Sequence, residues 1–411
     1  MRILVVTQYF WPENFQINDL VLGFKQTGHD VQIMTGIPNY PTGRFFPGYG
    51  LLKPLKEKFA GMTVLRVPLI PRGKGQGWRL ALNYISFVVS GSLLGPLLCR
   101  GPYDLIFVFE PSPITVGLPA LLIKKLTGVP LMFWVQDLWP ESLSATGAVR
   151  SKWILELVRH VARQIYSGCD RILIQSRAFV EPIVALGIDA KRLLYFPNSA
   201  EELYRPLVLE PEAPERSQVP SGFVVMFAGN IGAAQDFGTI LTAAELLRKI
   251  PSIHWIIIGD GRMWQWVQEE VRKRHLHDTV HLLGRYPQEA MPRYFALADV
   301  LLVTLRRDPI FAFTIPSKLQ SYLACGKPVI AALDGEGARI IEEAQAGFSA
   351  PAEAPAELAA AVSAMYHLTE SGRLAMGKRA RNYFERHFER SLLLTHLDGW
   401  MRELKQDSAD A

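Results

Sequence analysis

The chain has 411 residues, 49% of them hydrophobic and 20% charged, which is the composition of a globular protein and a length that favours two domains over one. A net charge of +5 favours acidic partners such as phosphorylated metabolites or an anionic membrane, but the basic residues are dispersed, which argues against nucleic-acid binding. The three cysteines lie far apart and form no CxxC or Cys/His cluster, which argues against disulfides and zinc and favours a reducing cytoplasm.

Apolar runs of strand length alternate with helix-like segments through the first half of the chain. The first run follows Met1 directly, without the apolar region and cleavage site of a secretory signal, so we expect the protein to stay in the cytoplasm. Such alternation predicts a parallel sheet with helices on both faces. The runs are RILVV (2–6), VQIMT (31–35), DLIFVF (104–109), PLMFWV (130–135) and RILIQ (171–175).

The segment WRLALNYISFVVSGSLLGPLLC (78–99) is the most hydrophobic long stretch. It approaches the roughly 20 apolar residues that span a bilayer, but Asn83, Pro96 and three serines favour a buried helix or a helix on the membrane surface. Basic residues near its start would suit anionic headgroups, although solvated arginines beside an ordinary core helix give the same pattern. These residues are Arg66, Arg72, Lys74 and Arg79.

The alternation restarts after LVLEPEAPERSQVPSG (207–222), a stretch rich in Pro, Glu and Ser. The runs FVVMFAG, IHWIIIG, VHLLG, DVLLV and KPVIAA follow, again separated by helix-like sequence. We therefore expect an α/β protein with two doubly wound, Rossmann-like domains whose parallel sheets face a central cleft. The predicted domains are residues 1–206 and 207–388, and residues 389–411 are predicted to form a last helix that crosses back to the first domain.

Glycines and polar side chains follow the strands of the second half. Because ligands of open α/β sheets bind beyond the carboxyl ends of the strands, these loops predict a binding site. Glycine lets a backbone approach a ligand and the N–H groups of helix starts bind phosphate, so the loops together favour an anionic ligand over plain turn chemistry. The candidate residues are Gly229, Asn230, Gly232, Gly259, Asp260, Gly261, Arg285, Gly335 and Glu336.

Lys318 lies at the start of a predicted helix, 318–324, where the helix dipole disfavours a cation. Ser317 is the predicted N-cap of this helix. A phosphate bound there would neutralise both the dipole and the lysine, whereas a Lys318 that points into solvent would cost only about 0.3 to 1 kcal/mol. The pattern favours a phosphate site.

A set of longer segments extends from about Arg2 to Leu404. In the first half they are WPENFQINDLVLGFKQTGHDVQIMTGIPNYPTGRFFPGY (11–49), EPSPITVGLPALL (110–122) and VQDLWPESL (135–143). In the second half they are FPNSAEELYRP (196–206), FAGNIGAAQDF (227–237), IIIGDG (256–261) and ACGKPVIAALDGEGARIIEEAQAG (324–347). Together they resemble family 4 of the GT-B nucleotide-sugar glycosyltransferases, and within it the branch that builds bacterial surface polysaccharides, including colanic-acid and O-antigen enzymes and fucosamine transferases.

The chain departs from this family's pattern where the donor diphosphate is bound. The family usually has arginine and lysine in the loop 229–237, where this chain has Asn230 and Gln235. It also usually has two glutamates, eight residues apart, at the positions of Phe313 and Ser321. The usual sugar and ribose contacts of those glutamates therefore do not carry over to this chain.

Other residues are expected to replace these groups. Lys318 is the obvious substitute cation, and Arg285 or Arg306 is expected to assist it, while Glu336 is a candidate acceptor for a hydroxyl group. The nucleotide-sugar site is thus predicted to contain the strand-end residues named above together with Ser317 and Lys318.

The family often has a histidine after the strand LMFWV, where this chain has Gln136 and Asp137. A helical segment would place Asp137 and Glu141 on one face as candidate catalytic carboxylates; the alternative is a capping Asp and a surface Glu. The resemblance implies retention of anomeric configuration, by same-face attack in which the leaving phosphate helps take the acceptor proton. Lys318 would then be catalytic as well, because it stabilises charge on the leaving diphosphate.

The acceptor is expected to bind the first domain. WPEN (11–14) follows its first strand and PNYP (38–41) its second, so both loops are predicted at the carboxyl edge of the sheet. Polar groups beside aromatic rings suit sugars, although stacked aromatics in proline-shaped loops explain Tyr40 equally well. The candidate acceptor residues are Glu13, Asn14, Asn39 and Tyr40.

These patterns predict a cytoplasmic enzyme, peripheral on the inner face of the cytoplasmic membrane, that moves a sugar from a nucleotide-diphosphate sugar to a polyprenyl-diphosphate-linked saccharide. The lipid carrier is implied by the resemblance and by the apolar segment. No obligatory cofactor or metal is expected, although Mg²⁺ would suit a diphosphate.

Other classes of protein remain open. A nucleotide-sugar epimerase of similar architecture and a non-catalytic nucleotide-sugar-binding module both fit the loops. An NAD-dependent oxidoreductase is disfavoured, because no GxGxxG follows the first strand.

Overall fold

The computed structural model describes residues 1–51, 56–145, 149 and 151–409 and divides into two compact units. Unit 1 contains Met1–Phe196 and the chain from Leu394 onwards, and unit 2 contains Pro197–Leu393. The sequence predicted the first boundary after residue 206, but the division falls after Phe196, because residues 197–206 pack within unit 2. There, Gln320 donates to the Asn198 carbonyl at 2.6 Å, and the Tyr204 ring stacks on Phe295.

The sheet of unit 1, within the described residues, has eight strands in the order β3-β4-β2-β1-β5-β6-β7-β8. All neighbours are parallel except the hairpin β3-β4, which the sequence analysis did not predict. The central strands β1 and β5 are buried on both faces, as expected for near-continuous apolar runs in a parallel sheet. The strands are β1 (Arg2–Val6), β2 (Asp30–Gly36), β3 (Lys56–Phe59), β4 (Met62–Val67), β5 (Leu105–Glu110), β6 (Leu131–Val135), β7 (Arg171–Ile174) and β8 (Leu193–Tyr195).

In the described part of the chain, six α-helices connect these strands. They are α1 (Gln16–Gln26), α2 (Gly77–Leu98), α3 (Gly117–Thr127), α4 (Glu141–Ala145), α5 (Lys152–Gly168) and α6 (Val180–Ala185).

The sheet of unit 2 is wholly parallel, in the order β11-β10-β9-β12-β13-β14. Its strands are β9 (Phe223–Ala228), β10 (Ile253–Ile258), β11 (Val280–Gly284), β12 (Val300–Thr304), β13 (Val329–Ala332) and β14 (Gly347–Ala350). Its helices are α7 (Phe237–Leu246), α8 (Trp264–Lys273), α9 (Met291–Leu297), α10 (Pro309–Phe313), α11 (Ser317–Ala324), α12 (Glu336–Ala344), α13 (Pro355–His367) and α14 (Glu370–His387).

The last helix, α15 (Arg390–Ala409), returns the chain to unit 1. It buries Leu397 and Met401 completely, and its Asp398 lies 2.8 Å from the His29 ring. Burial, together with the nearby N-terminal amino group, lowers the pKa of His29, although Asp398 opposes that shift. The helix thereby closes part of the core of unit 1.

Helix α2 lies in the connection between β4 and β5 and buries one of its faces. Glycines on that face allow close packing, because a Cβ on Gly91 would lie 3.2 Å from Pro119 and one on Gly95 only 2.9 Å from the Met34 sulfur. The buried residues of the helix are Asn83, Phe87, Gly91 and Gly95, spaced one helical turn apart.

The opposite face of α2 is apolar and exposed, up to 61% at Trp78 and 68% at Leu93. Among the described residues, α2 is the one helix whose length and composition would allow it to cross a membrane, which by itself is weak support for a span. We call this surface the apolar face of α2; it consists of Trp78, Leu82, Ile85, Val89, Leu93 and Leu97.

Arg66 does not belong to a basic surface beside α2, as the sequence suggested. It is fully buried in β4, where its guanidinium donates to the Gly36 carbonyl at 2.9 Å, donates to the Trp11 carbonyl and pairs with Glu57. Its charge therefore holds unit 1 together and is not available to a headgroup.

Both sheets have a topological switch point, where successive connections leave in opposite directions. In unit 1 it lies between β1 and β5, and in unit 2 between β9 and β12. Open α/β sheets bind ligands at the carboxyl edge beside this point, so each unit has one favoured place for a site.

Candidate functional site

In unit 2, Lys318 extends from the first turn of α11 to the switch point. Its Nζ lies 3.9 Å from the centre of the Phe227 ring, at the end of β9, and donates to Gln235 Oε1 at 2.5 Å. Burial lowers the pKa of Lys318 to about 7. Among the described residues no carboxylate forms an ion pair with this ammonium, so it is a cation held in place without an acidic partner.

The glycines of the strand-end loops let Lys318 and the backbone come together. A Cβ on Gly229, whose φ is +138°, would lie 2.4 Å from Lys318 Cε. A Cβ on Gly259 would lie 1.8 Å from the Gly229 carbonyl oxygen, and one on Gly261 would lie 2.4 Å from that of Ile231. The packing of backbone on backbone and on a lysine stem therefore requires glycine at these three positions.

Gln235 is fixed from the other side of the switch point. Thr304, the last residue of β12, donates its hydroxyl to the Gln235 carbonyl, and the Arg306 N–H donates to the Ala234 carbonyl at 2.9 Å. The loop after β9 is thus tied to the end of β12, and its amide oxygen meets the lysine. Sequence reasoning treated Gln235 only as a missing lysine and did not predict this contact.

Three predicted polar residues of unit 2 stand at the same edge with exposed side chains: Asn230, Asp260 and Arg285. Asp260 accepts from the Gly261 N–H at 2.7 Å, and a Cβ on Gly232 would lie 2.7 Å from the Asn230 amide nitrogen. These residues line the approach to Lys318 from the β10 and β11 side of the sheet.

Two details of the predicted site need correction. Ser317 is not the N-cap of α11: the cap is Pro316, no side chain caps the helix, and Ser317 is its exposed first residue. Arg306 points its charge at Glu353, 3.5 Å away, so it is not a free second cation.

Glu336, the first residue of α12, is buried and paired. Both of its carboxylate oxygens accept from Arg339, at 2.8 and 2.9 Å. Gly335 precedes it with φ +77°, and a Cβ there would lie 2.1 Å from the Ala312 carbonyl oxygen. The pair with Arg339 limits the ability of Glu336 to accept a hydroxyl group.

In unit 1, carboxyl groups meet at the ends of β5 and β6. Glu110 is fully buried, and its Oε2 accepts from the N–H groups of Gln136 and Asp137, both at 3.2 Å. Burial, and secondarily the nearby Asp137, raise the pKa of Glu110 well above its ordinary value. Burial also raises the pKa of Asp137 to about 6, while a hydrogen bond to Ser112 opposes that shift.

The geometry of Asp137 and Glu141 differs from the predicted helix face. Asp137 lies in the bend after β6, and only Glu141 lies in α4, as its first residue, so the two do not share a helical face. Between them, Trp139 packs its ring against Tyr84 of α2, with ring centres 6.5 Å apart. Asp137 therefore belongs with the buried Glu110 and not with Glu141.

Glu110 is a residue that sequence reasoning missed. Trp139 lies within hydrogen-bonding reach of this carboxyl group and opposes the rise of its pKa. Gln136 Nε2 beside it is buried without a hydrogen-bond partner among the described residues. Buried polar atoms normally have partners, so these side chains mark a polar place next to the switch point. The signal in the sequence was a glutamate that ends an otherwise apolar strand, LIFVFE (105–110).

The predicted acceptor residues of unit 1 separate into two kinds. Glu13 is buried, and its carboxylate accepts three backbone N–H groups, from Phe10 at 3.2 Å and from Asn39 and Tyr40 at 2.7 Å. Burial raises the pKa of Glu13 to about 7, and these N–H groups oppose that shift. Glu13 therefore holds one loop against the other and does not project towards a ligand.

Asn39 is likewise buried: its side chain donates to the Ile37 carbonyl at 3.1 Å and accepts from the Arg72 N–H at 3.0 Å. Asn14 and Tyr40, in contrast, are exposed, and the Arg72 guanidinium lies 4.9 Å from the Tyr40 ring centre. Of the four residues, these two have exposed side chains.

The two switch points differ in the chemistry that they can support. That of unit 2 offers a lysine that, among the described residues, has no carboxylate as an ion-pair partner, which suits a diphosphate. That of unit 1 offers carboxyl groups whose raised pKa values suit proton transfer near neutral pH. Among the described residues no group of three His, Cys, Asp or Glu side chains is arranged to hold a metal ion.

Comparison with known proteins places both units in one family. The model of the glycosyl transferase 4-like domain matches residues 14–199, and that of the glycosyl transferases group 1 matches residues 222–367. The chain is 25% identical over 338 residues to the putative colanic acid biosynthesis glycosyl transferase WcaI of Escherichia coli K12, covering 79% of this chain and 82% of that protein. It is 24% identical over 219 residues to the amylovoran biosynthesis glycosyltransferase AmsK of Erwinia amylovora, covering 52% and 51%.

Solved structures share the fold at lower sequence identity. Anabaena Alr3699/HepE in complex with UDP matches with a TM-score of 0.70 and 15% identity, over 98% of this chain and 100% of that chain. The sucrose-phosphate synthase of Thermosynechococcus elongatus matches with a TM-score of 0.71 and 16% identity, over 98% of both chains. The chain therefore belongs to the family 4 glycosyltransferases and has the GT-B fold.

Proposed function

We propose that this glycosyltransferase moves a sugar, with retention of anomeric configuration, from a nucleotide-diphosphate sugar to a lipid-linked saccharide during synthesis of a bacterial surface polysaccharide. The names of its relatives, which refer to colanic acid and amylovoran, support the polysaccharide pathway. The observation that carries the donor part is the position of Lys318 at the switch point of unit 2.

The donor diphosphate is the ligand that best satisfies Lys318. A half-buried ammonium with a depressed pKa is destabilised by burial, and an anion beside it restores the charged form. The glycine loops after β9 and β10 let the backbone pack closely beside the lysine, which keeps both loops next to the place proposed for the diphosphate. HepE, a structural neighbour, has been crystallised with UDP, which supports a nucleotide at this edge.

The proposed reaction needs little from the protein beyond charge stabilisation. The bond between the anomeric carbon and the nucleotide diphosphate breaks, a bond to the acceptor oxygen forms on the same face, and the acceptor proton passes to a phosphate oxygen of the leaving group. Lys318 stabilises the negative charge that grows on that group, which is the preorganised electrostatic effect that often dominates catalysis. Asp137 is the candidate to orient the acceptor hydroxyl for this transfer.

The membrane part of the proposal rests on α2. Its apolar face is exposed, and Arg72, Lys74 and Arg79 lie at the amino end of the helix. Apolar residues beside basic ones are the pattern of proteins that lie on an anionic membrane surface. We propose a peripheral position on the cytoplasmic face of the membrane, where a lipid-linked acceptor would be available.

Thermal stability in the presence of UDP, GDP, dTDP and CMP sugars tests the donor site, because ligand binding raises the stability of the folded state. One nucleotide class should raise the unfolding temperature of the wild type and not that of Lys318→Ala. Lys249→Ala is the matched control, because Lys249 is exposed in the connection before β10, at the opposite edge of the sheet. A shift that survives in Lys318→Ala would contradict the proposed site.

Product analysis distinguishes the transferase from the other classes. Addition of acceptor should release a nucleoside diphosphate from the donor that gave the shift. An epimerase would convert the donor sugar without that release, and a non-catalytic module would bind donor without turnover. Either result would refute the proposed function.

A further inference from the structure

A groove of about 520 Å³ opens beside the amino end of α2, within unit 1. This volume lies within the range of about 300 to 1,000 Å³ in which small-molecule sites usually fall. No residue of the groove belongs to the two switch-point sites described above. Its main lining residues are Arg44, Phe45, Ile70, Trp78, Arg79 and Leu82.

Two arginines give the groove its charge. Arg44 and Arg79 are both exposed, and within the described ranges neither guanidinium forms an ion pair with a carboxylate. The Arg79 guanidinium lies 5.2 Å from the centre of the Trp78 ring, which holds it beside the groove. Guanidinium groups bind phosphate oxygens in pairs, so two unpaired arginines in one groove favour a diphosphate or phosphate group.

The rest of the groove is apolar and continues into the apolar face of α2. Trp78 and Leu82 belong to both surfaces. From Trp78 to Leu97 that face extends roughly 28 Å along the helix, at about 1.5 Å per residue. A ligand with a charged head in the groove could therefore lay a long apolar tail along the helix without a break in apolar contact.

The wall of the groove opposite α2 is built by a constrained loop. The Gly43 N–H donates to the Asn39 carbonyl at 2.8 Å, and the Gly73 N–H donates to the Gly43 carbonyl at 3.1 Å. A Cβ on Gly43, whose φ is +74°, would lie 1.6 Å from the Gly73 carbonyl oxygen, so only glycine fits. This packing, together with the hold of Glu13 on Asn39, sets the position of Arg44 and Phe45 next to α2.

We propose that this groove binds the diphosphate and the first isoprene units of a polyprenyl-diphosphate carrier, whose tail follows the apolar face of α2. The inference rests on the proposed function, because it assigns a place on the protein to the lipid part of the acceptor. Charge and apolarity occur here in the order in which the ligand carries them. A free sugar would use neither the exposed apolar face nor the two arginines, and a flat bilayer surface would not need a groove.

Binding of geranylgeranyl diphosphate to the full chain, measured at equilibrium without donor, tests the groove. Geranylgeraniol and inorganic diphosphate serve as the tail-only and head-only probes. We expect geranylgeranyl diphosphate to bind at least about tenfold more tightly than either probe, because both parts of the groove contribute. Equal affinities for geranylgeranyl diphosphate and geranylgeraniol would overturn the assignment of the arginines.

Variants localise the binding. Arg44→Gln/Arg79→Gln should weaken geranylgeranyl diphosphate about 20-fold or more, since charge-assisted hydrogen bonds are lost. Leu82→Gln should weaken it several-fold. The controls are Arg100→Gln/Lys125→Gln, which removes the same charge from exposed positions of unit 1, and Leu126→Gln, which replaces an exposed leucine of α3.

Two results would refute the groove while leaving the proposed function intact. One is equal weakening by the variants and their controls, and the other is complete displacement of geranylgeranyl diphosphate by vesicles of anionic phospholipid, which would indicate a general membrane surface. Donor-induced stabilisation of the wild type, measured in the same preparations, reports on the proposed function separately. Loss of that stabilisation with retained lipid binding would refute the function and not the groove.

Discussion

The Lys318 ammonium lies above an aromatic ring and beside an amide, and among the described residues no carboxylate balances its charge. This environment destabilises the charged form of the lysine. Burial lowers its pKa to about 7. The glycines around it were predicted from the sequence because of their backbone freedom, and they bring no charge. A site of this kind gains stability when an anion arrives. This gain can be measured as donor affinity and as the pH dependence of that affinity.

Donor binding should depend on pH through Lys318. In the free protein its pKa is about 7, and a bound diphosphate should raise that value. Below pH 7 the lysine is already charged and affinity is highest; above pH 7 binding must take up a proton, so affinity should fall by up to about tenfold per pH unit. Calorimetry with a nucleotide sugar between pH 6 and 9 measures this.

Lys318→Arg is the matched variant, because arginine stays charged throughout this range. Its affinity should vary little with pH. A wild-type profile as flat as that of the variant would show that Lys318 does not exchange a proton on binding, which contradicts its role at the diphosphate.

Asp137 should give the reaction an acid limb. Burial raises its pKa to about 6, so it loses its negative charge as the pH falls through 6. If its carboxylate orients the acceptor hydroxyl, kcat/KM should fall below pH 6, and Asp137→Asn should lower kcat by about 100-fold or more and abolish that limb. A loss of activity equal at every pH, with a lowered unfolding temperature, would instead show that Asp137 only holds its loop.

Glu13 should affect stability more than acceptor affinity. Glu13→Gln keeps the shape but leaves one backbone N–H facing a donor, which should lower the free energy of unfolding by about 1 to 3 kcal/mol. Because burial raises the folded-state pKa of Glu13 to about 7, the wild type should also lose stability as the pH rises from 4.5 through 7, and Glu13→Gln should lack this pH dependence. Urea unfolding at several pH values measures both effects.

The exposed Glu181→Gln on α6 is the control for this prediction and should change stability by less than about 0.5 kcal/mol. Unchanged stability of Glu13→Gln together with a raised KM for the acceptor would restore Glu13 to the acceptor site.

At the scale of elements, α2 carries two functions on opposite sides. One side is made of small or shape-fitted residues against α3 and β2, and the other is made of large apolar residues that no described part of unit 1 covers. The sequence contained both patterns, but hydrophobicity alone does not tell which apolar residues are inside. The spacing of Gly91 and Gly95, one turn apart, was the available sign.

Substitutions on the two faces of α2 should affect different properties, stability on the buried face and membrane binding on the exposed face. Gly91→Leu should lower the free energy of unfolding by about 1 to 3 kcal/mol or more, because its Cβ already meets Pro119 at 3.2 Å. Leu93→Gln should leave stability within about 0.5 kcal/mol but reduce sedimentation with anionic vesicles. A large loss of stability in Leu93→Gln would mean that this face is covered by protein.

Sequence reasoning predicted the strands that have long apolar runs, and most of these, such as β1, β5, β9 and β12, are buried on both sides. It did not predict β3, β8 and β14, because each is short and lies at a sheet edge where pairing, not composition, makes the strand. It also did not predict β4, whose buried Arg66 is satisfied only by partners distant in sequence. The glycine loops and Lys318 were predictable from strand ends, whereas the contacts of Gln235 and Glu110 depend on tertiary structure.

At the scale of the whole molecule, the chain leaves unit 1 after Phe196 and returns at Leu394. Unit 2 is therefore one continuous segment, and unit 1 is made of two. The returning helix α15 contributes Leu397, Met401 and Leu404 to the core of unit 1 and an ion pair from Lys405 to Asp104, 2.9 Å. Unit 1 depends on a helix that lies nearly two hundred residues further along the chain.

Truncation after Leu393 should destabilise unit 1. Removal of the buried side chains of α15 should cost more than about 4 kcal/mol, since each large core residue contributes about 2 to 5 kcal/mol. Hydrogen exchange of β1 and β5 should become much faster. A chain that ends at Lys405 is the control, because the described side chains that it lacks, residues 406–408, are exposed, and with them only the Arg171–Asp407 pair is lost; equal protection in both truncated chains would refute this role of α15.

The double crossing also sets an order for biosynthesis. A ribosome delivers the chain from its amino end, so every residue of unit 2 has emerged before the helix that completes unit 1. During that interval the core residues of unit 1 that α15 later covers are exposed, together with the apolar face of α2. The interval is a window in which chaperones that recognise apolar surface would meet the first half of the chain, and a codon change that slows translation between Pro197 and Leu393 would lengthen it.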